Sequence, residues 1–314
     1  MTENIETLFK EFIKEQEYSS KLSPVTLDGY QYAFKLFLQI MPGTGLEDLT
    51  DKIMTEFFER LEKRERKVGR GYTKKGIKSS TVATYRSKLN KFFGWLEMKG
   101  KIKKNPFRLM EYPNVVYEDK KFLRKEELEK IFMAMGIGIP WKNPFVAKRN
   151  IAIITTLLYC GLRKGELLGL KVLDIDFGRK ELTVRAETSK SRINRIVPLN
   201  PELIRKLEDY LEERKKRTSV STSFFTSNNE DRELSEDGFK HLIAFLVDKS
   251  GVKFHAHQFR HTFAVNMLNK GCDIAKLKQL MGHKDIRMTA SYVRCLPSSM
   301  MRNDVNMLTI DDMV

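Results

Sequence analysis

The chain of 314 residues is 41% hydrophobic and 31% charged, carries a formal charge of +16 and has a pI near 9.6. That length suits two domains, each able to bury a core, and the absence of any run of about eighteen apolar residues excludes a membrane-spanning reading. Residues 1–118 hold 22 Lys+Arg against 16 Asp+Glu and the remainder 35 against 25, so both parts are basic and a polyanion such as nucleic acid is the expected partner, with a merely solvated lysine-rich surface as the plain alternative.

The amino-terminal stretch MTENIETLFKEF is acidic and amphipathic, unlike a secretory signal. Cys160, Cys272 and Cys295 form no CxxC pair, so neither a disulfide framework nor a zinc site is expected, and a reducing cytoplasm is the expected compartment. Four helices are predicted for residues 1–113. They carry Leu8, Phe9 and Phe12; then Tyr30, Phe34 and Phe37, opened by Thr26; then Phe57 and Phe58; then Tyr85, Leu89 and Phe92, opened by Thr81. Together they are enough for an all-helical bundle. Between the third and fourth, Lys63, Arg64, Arg66, Lys67, Arg70, Lys74, Lys75 and Lys78 stand against Glu65 alone. A loop that basic, with Gly69, Gly71 and Tyr72 in it, is expected to follow a phosphate backbone closely.

Asn105-Pro106 and Tyr112-Pro113 punctuate the way into a linker over residues 114–122, and a second domain is predicted from Leu123. Its first helix carries Leu128, Ile131, Phe132 and Met135. Residues 147–159, AKRNIAIITTLLY, are apolar all round, which marks the buried spine of this domain; it ends at Cys160-Gly161. Arg163 sits where the spine emerges and Glu166 lies one turn on; by itself that arginine reads as a helix-terminal charge partner. VLDIDF, ELTVRAE and NRIVPLN read as three short strands, with Lys190 in the connection between the last two. Two more helices, over ELIRKLEDYLEERKK and over Phe239 to Val247, lead to the stretch with the densest chemistry.

That stretch is HAHQFRHTFAVNMLNKGCDIAKLKQLMGHKDIRMTASY, residues 255–292. His257 and Arg260, three apart at a helix start, can project from one face and meet one ligand. A helix over Ile274, Leu277, Leu280 and Met281 is predicted to stop at Gly282, a left-handed cap, with His283 held just past its end. Nine residues on, Tyr292 shares a stripe with Ile286 and Thr289, either as half-buried core or as a nucleophile.

Arg163 in GLRKGELLGL, Lys190 ahead of RIVPL, HQFRH at 257–261, MGH at 281–283 and Tyr292 resemble, in order and spacing, the tyrosine recombinases, also called the phage integrase family. The resemblance covers nearly all of the second domain by motif and the first by helical pattern. It implies a mainly α fold with a small antiparallel β-sheet: a helical core-binding domain over 1–113, a mixed α+β catalytic domain over 123–294, and a tail over 295–314 docked in trans. In size the chain looks most like Xer-type or mobile-element integrases without an added arm-binding domain. Gln258, where acidic residues are frequent in the family, and Met281 in place of a leucine are mild departures, and His255 reads as structural or DNA-contacting.

Carried over by position, the resemblance makes Tyr292 the nucleophile, Arg163 and Arg260 the phosphate clamp, Lys190 and His257 the proton-transfer groups and His283 a further phosphate contact. A phenol with an ordinary pKa near 10 needs a base or a positive site beside it, and guanidiniums donate forked hydrogen bonds to the charge that develops on an attacked phosphodiester. The implied activity is site-specific recombination of double-stranded DNA through a 3'-phosphotyrosine, by a homo-tetramer on two sites, with no cofactor, metal or ATP. A type IB topoisomerase, or a DNA-binding protein of the same fold without catalysis, is the alternative.

Overall fold

The computed structural model describes residues 4–68, 71–111, 121–136, 141, 143–189, 192–217, 220–228 and 231–296, residues 67 and 68 by their backbone alone. The chain divides into two compact units, Met1–Glu118 and Asp119–Val314. The division falls inside the stretch expected as a linker, most of which lies outside the described residues.

The first unit holds α1 (Ile5–Tyr18), α2 (Pro24–Ile40), α3 (Asp51–Lys63) and α4 (Ser79–Met98). Local chemistry starts three of these four helices. The Asn4 side chain accepts from the Glu6 N–H ahead of α1, the Thr50 hydroxyl accepts from the Ile53 N–H ahead of α3, and Pro24 opens α2 where its missing N–H costs nothing. The predicted starts at Thr26 and Thr81 therefore come late. Thr26 instead pairs its hydroxyl with Ser23, the true cap position. The core is aromatic: Phe9 stacks on Phe34 at 4.0 Å, and Phe92 stands edge-on to Phe9 at 5.0 Å. Phe12, Phe37, Phe57 and Phe93 have no exposed surface. Each such ring contributes about 3 kcal/mol by burial, so Phe92→Ala would cost about 3–5 kcal/mol.

The expected all-helical unit is not quite that. The basic connection between α3 and α4 forms an antiparallel ribbon of β1 (Glu65–Val68) and β2 (Tyr72–Lys75), with Glu65 opposite Lys75 and Arg66 opposite Lys74. All of β2 is exposed, so no apolar alternation announces it.

In the second unit come α5 (Lys125–Gly136), α6 (Pro144–Cys160), α7 (Lys164–Leu168), β3 (Ile175–Asp176), β4 (Glu181–Val184) and β5 (Arg195–Pro198). After them follow α8 (Pro201–Lys215), α9 (Glu236–Ser250), α10 (His257–Asn269), α11 (Ile274–Met281) and α12 (Ile286–Ala290). The expected spine is α6, with Ala152, Ile153, Ile154 and Leu157 fully buried against α8 and α10. The three strands form one antiparallel sheet in the order β3-β4-β5, with Leu182 opposite Val197 in the core. The first half of VLDIDF, Val172–Asp174, is a 3-10 turn rather than strand.

Two glycines set the geometry of the site. Gly161 ends α6 at φ 58°, and a Cβ there would lie 2.3 Å from the Phe263 ring of α10. Gly282 ends α11 at φ 61°, against the Arg195 side chain. Both need the left-handed conformation that only glycine adopts cheaply.

Candidate active site

Four chain segments meet around one buried carboxylate. Arg163 occupies the cap position of α7, its backbone N–H donating to Glu166 Oε2 at 2.9 Å and its Nη1 to Oε1 at 2.8 Å. From β5, Arg195 donates through Nη1 at 3.0 Å and Nη2 at 2.7 Å to the same carboxylate, and through Nε to the Leu280 carbonyl at 2.8 Å. Ser189 adds a 3.2 Å bond to Glu166 Oε1. Burial alone would raise the Glu166 pKa, but the hydrogen bonds and charge of Arg195, with Arg163 behind them, bring it down to about 2. Glu166 is thus a permanent anion at the centre of three arginines, Arg260 being 4.0 Å away.

Arg260, on the first turn of α10, is 1% exposed. Its Nη1 donates to the Gly161 carbonyl and its Nη2 to the Met281 carbonyl, both at 2.6 Å, while Nη2 also lies 3.0 Å from His283 Nε2. The arginine therefore spans the two glycine turns. Burial, with repulsion from Arg163, lowers its pKa to about 9, so it stays cationic at neutral pH. An arginine offers only donors, which makes His283 Nε2 the acceptor and leaves its proton on Nδ1, 2.8 Å from the Thr289 hydroxyl. Arg163 keeps 20% of its side chain exposed, and is the more open edge of the pair.

Tyr292 follows α12 and is 1% exposed, more deeply buried than the half-buried core side chain expected; Ile286, expected to share its stripe, is 45% exposed. The ring lies parallel to His283 at 6.4 Å and packs in a cluster with Phe263, Leu268, Leu277 and Met281. Its hydroxyl lies 2.9 Å from Nδ1 of His261. Burial pushes the Tyr292 pKa up to about 12, opposed by the charges of Arg260 and Arg163.

Of the residues singled out in the sequence, Arg163, Arg260, His283 and Tyr292 come together. His257 is exposed, and its ring stands edge-on to His261 at 4.4 Å. Lys190 lies outside the described residues. Sequence reasoning missed His261, Glu166 and Arg195 as members of the cluster. The signal for His261 was available, since it is one helical turn after His257 and shares its face. No pattern announces that Glu166 and Arg195 would pair across 29 residues of sequence. In the first unit, Arg64, Arg66, Lys74, Lys75 and Lys78 are exposed on or beside the ribbon, Lys63 pairs with Glu59, the Lys67 side chain is not described and Arg70 lies outside the described residues.

Residues 121–298 match the phage integrase family. This chain belongs to that family. Tyrosine recombinase XerC of Oceanobacillus iheyensis is 27% identical over 297 residues, covering 92% of this chain and 91% of that one. XerC of Thermodesulfovibrio yellowstonii is 31% identical over 225 residues, covering 69% and 72%. Among solved structures, the Tn1549 transposon integrase in complex with a circular intermediate DNA aligns at a TM-score of 0.76 and 20% identity, covering 96% of this chain and 98% of that one. XerH site-specific recombinase bound to a palindromic difH substrate aligns at 0.72 and 18%, covering 94% and 83%. At those identities the structural likeness establishes the fold, mostly helical with small antiparallel sheets.

Proposed function

We propose that this phage integrase family member is a site-specific DNA recombinase that cleaves and rejoins strands of duplex DNA through a 3'-phosphotyrosine on Tyr292. The observation that carries the reading is the convergence of Arg163, Arg260 and His283 beside the buried Tyr292, all held by Glu166 and two glycine turns. Two guanidiniums fixed before substrate arrives stabilise the charge that develops on the non-bridging oxygens without reorganising. The Tyr292 oxygen attacks phosphorus, the bond to the 5' oxygen breaks, and that oxygen takes a proton, the role assigned to Lys190. The phosphotyrosyl ester conserves the bond energy, so a 5' hydroxyl from another strand reverses the step without ATP. His283, whose Nε2 is committed to Arg260, acts as a support for that arginine and turns to phosphate only if the pair opens.

The ribbon supplies backbone contacts. Arg66 and Lys74 lie directly opposite one another, a like-charge pair that is unfavourable until an anion sits between them. Tyr72, 77% exposed, stands beside them, and the base of the ribbon borders Tyr85, whose hydroxyl feels the charges of Arg66 and Arg64. Cys295 and Leu296, expected as the start of the exchanged tail, pack on the Tyr292 cluster of their own chain, and the tail beyond Leu296 docks on a second copy and builds a tetramer on two DNA sites. Its apolar Val305, Leu308 and Ile310 are flanked by Asp304, Asp311 and Asp312, which suits the groove beside β5, where Ile193 and Ile196 are exposed next to Lys276 and Lys278. The protein works in the cytoplasm, where its three cysteines stay free thiols.

Covalent trapping tests the activity. Nicked or 5'-bridging phosphorothiolate duplexes from the flanks of the protein's own gene should give a denaturant-stable adduct that maps to Tyr292 and vanishes in Tyr292→Phe. DNA binding with no adduct on any duplex would sink the reading. Truncation after Leu296, which keeps the residues packed on Tyr292, should leave cleavage intact and abolish recombination; unchanged recombination would refute the exchanged tail.

A further inference from the structure

Two histidines compete for the role of proton acceptor at Tyr292, and the geometry separates them. His257 was assigned that role by motif position, and it is exposed at the start of α10. His261 is half-buried, one helical turn further along the same face of α10, and its Nδ1 lies 2.9 Å from the Tyr292 hydroxyl. The rings of His257 and His261 stand edge to face at 4.4 Å. The three groups therefore form a line from the buried phenol to solvent. Also facing this line are Arg260 of α10, Arg163 at the start of α7, His283 after α11 and Cys295 just beyond Tyr292. Both arginines favour the phenolate, so what the buried hydroxyl needs in order to ionise is a nearby base.

We infer that His261, rather than His257, takes the proton of Tyr292 as the nucleophile attacks, and that His257 passes that proton to solvent. The inference rests on Tyr292 being the nucleophile. In the step, the neutral His261 ring, protonated on Nε2, accepts the hydroxyl proton at Nδ1 and becomes an imidazolium. The freed electron pair on the phenol oxygen forms the bond to phosphorus, and the bond from phosphorus to the 5' oxygen breaks. On ligation the ring, reprotonated from solvent through His257, gives a proton to the leaving tyrosine. Placing the acceptor on the spine-packed helix, one turn in from the surface, holds it against a nucleophile that is itself buried. It also explains why the motif carries a histidine at both ends of one helical turn.

The test compares single-turnover cleavage of a nicked duplex with that of the same duplex carrying a 5'-bridging phosphorothiolate, whose thiolate leaves without a general acid. His261→Gln is the informative variant, because glutamine can still hydrogen-bond the hydroxyl but cannot take up its proton. The expected result is a loss of about 10²-fold or more on both substrates, with duplex affinity and thermal midpoint close to those of the wild type. The wild-type rate should fall toward acid pH as the acceptor fills with a proton, and that limb should flatten in His261→Gln, which has no acceptor to fill. His257→Gln should lose less on either substrate. Wild-type cleavage by His261→Gln would overturn the inference, as would a defect cured by the phosphorothiolate, which would make His261 an acid rather than a base. If the wild type itself forms no adduct on any duplex, the recombinase reading falls and this inference with it.

Discussion

Arg260 in the catalytic unit is 1% exposed and is held by two carbonyls and His283 with Glu166 close by, whereas Arg66 on the ribbon is exposed and lies across from another cation, Lys74. Both are read as partners of the same phosphate backbone. The difference lies in when the organisation is done. Around Glu166 the desolvation and ordering of three arginines are completed during folding, so an arriving phosphate meets donors already aimed. On the ribbon the cations stay hydrated and make no ion pair among the described residues, and their ordering is deferred to binding. Buried cations give rate and geometry; exposed ones give affinity that salt can remove.

The sharpest way to break that contrast is to make the same conservative change at both places. Lysine cannot reproduce the fork with which Arg260 reaches Gly161 and Met281 together. Arg260→Lys should lower cleavage by at least about 10²-fold and destabilise the fold by about 3–5 kcal/mol, since it breaks a buried charge network. Arg66→Lys should change stability by less than about 0.5 kcal/mol and leave duplex affinity nearly unchanged. Urea midpoints and single-turnover rates measured side by side decide it; equal, small effects at both sites would mean that the buried cluster is not preorganised.

How much of this was legible in the sequence follows from the same contrast. The spine α6, the stop at Gly161 and the stop at Gly282 were readable because each leaves a local signal, an unbroken apolar run or a glycine after one. The spacing of His257 and Arg260 placed both on the opening turn of α10, correctly. What remained hidden was set by tertiary approach. Tyr292 comes to His261 across 31 residues, and Glu166 to Arg195 across 29, and no periodicity encodes which face meets which. The ribbon was hidden for another reason. Its described side chains bury nothing, so the alternation by which a strand is normally recognised is missing, and its charges read as a loop.

A change of pH sharpens the comparison next, because the buried cluster contains a carboxylate with a strongly displaced pKa. Glu166 sits at about 2 in the folded chain, against about 4.3 for an unfolded glutamate. A depressed carboxylate stabilises the fold above its unfolded value, and that stabilisation is lost as pH falls from about 4.3 toward 2. The amount is on the order of 3 kcal/mol. Glu166→Gln should therefore be less stable than the wild type at pH 7, with the difference shrinking as the pH is lowered through that window. Thermal or urea midpoints of the two proteins between pH 3 and 7 give the difference directly, and a gap that stays constant across the window would show that Glu166 is not held as an anion by Arg195 and Arg163.

The smallest expected effect is on the ribbon, and its value lies in its sign. Lys74→Glu would turn the like-charge pair with Arg66 into an opposite-charge pair at the same cross-strand position. An isolated two-stranded ribbon is marginal, so the new pair should raise its stability, by a few tenths of a kcal/mol. The same change removes one cation from the phosphate-facing surface and adds an anion. Affinity for duplex DNA should fall, and the slope of log affinity against log salt should become shallower by about 1–2. Stability and binding thus move in opposite directions at Lys74, while at Arg260 they fall together. Amide exchange over Glu65–Lys75 reports the first and a salt titration of duplex binding the second. If Lys74→Glu weakened the ribbon and the binding alike, the cations of this ribbon would be holding the fold rather than waiting for the polyanion.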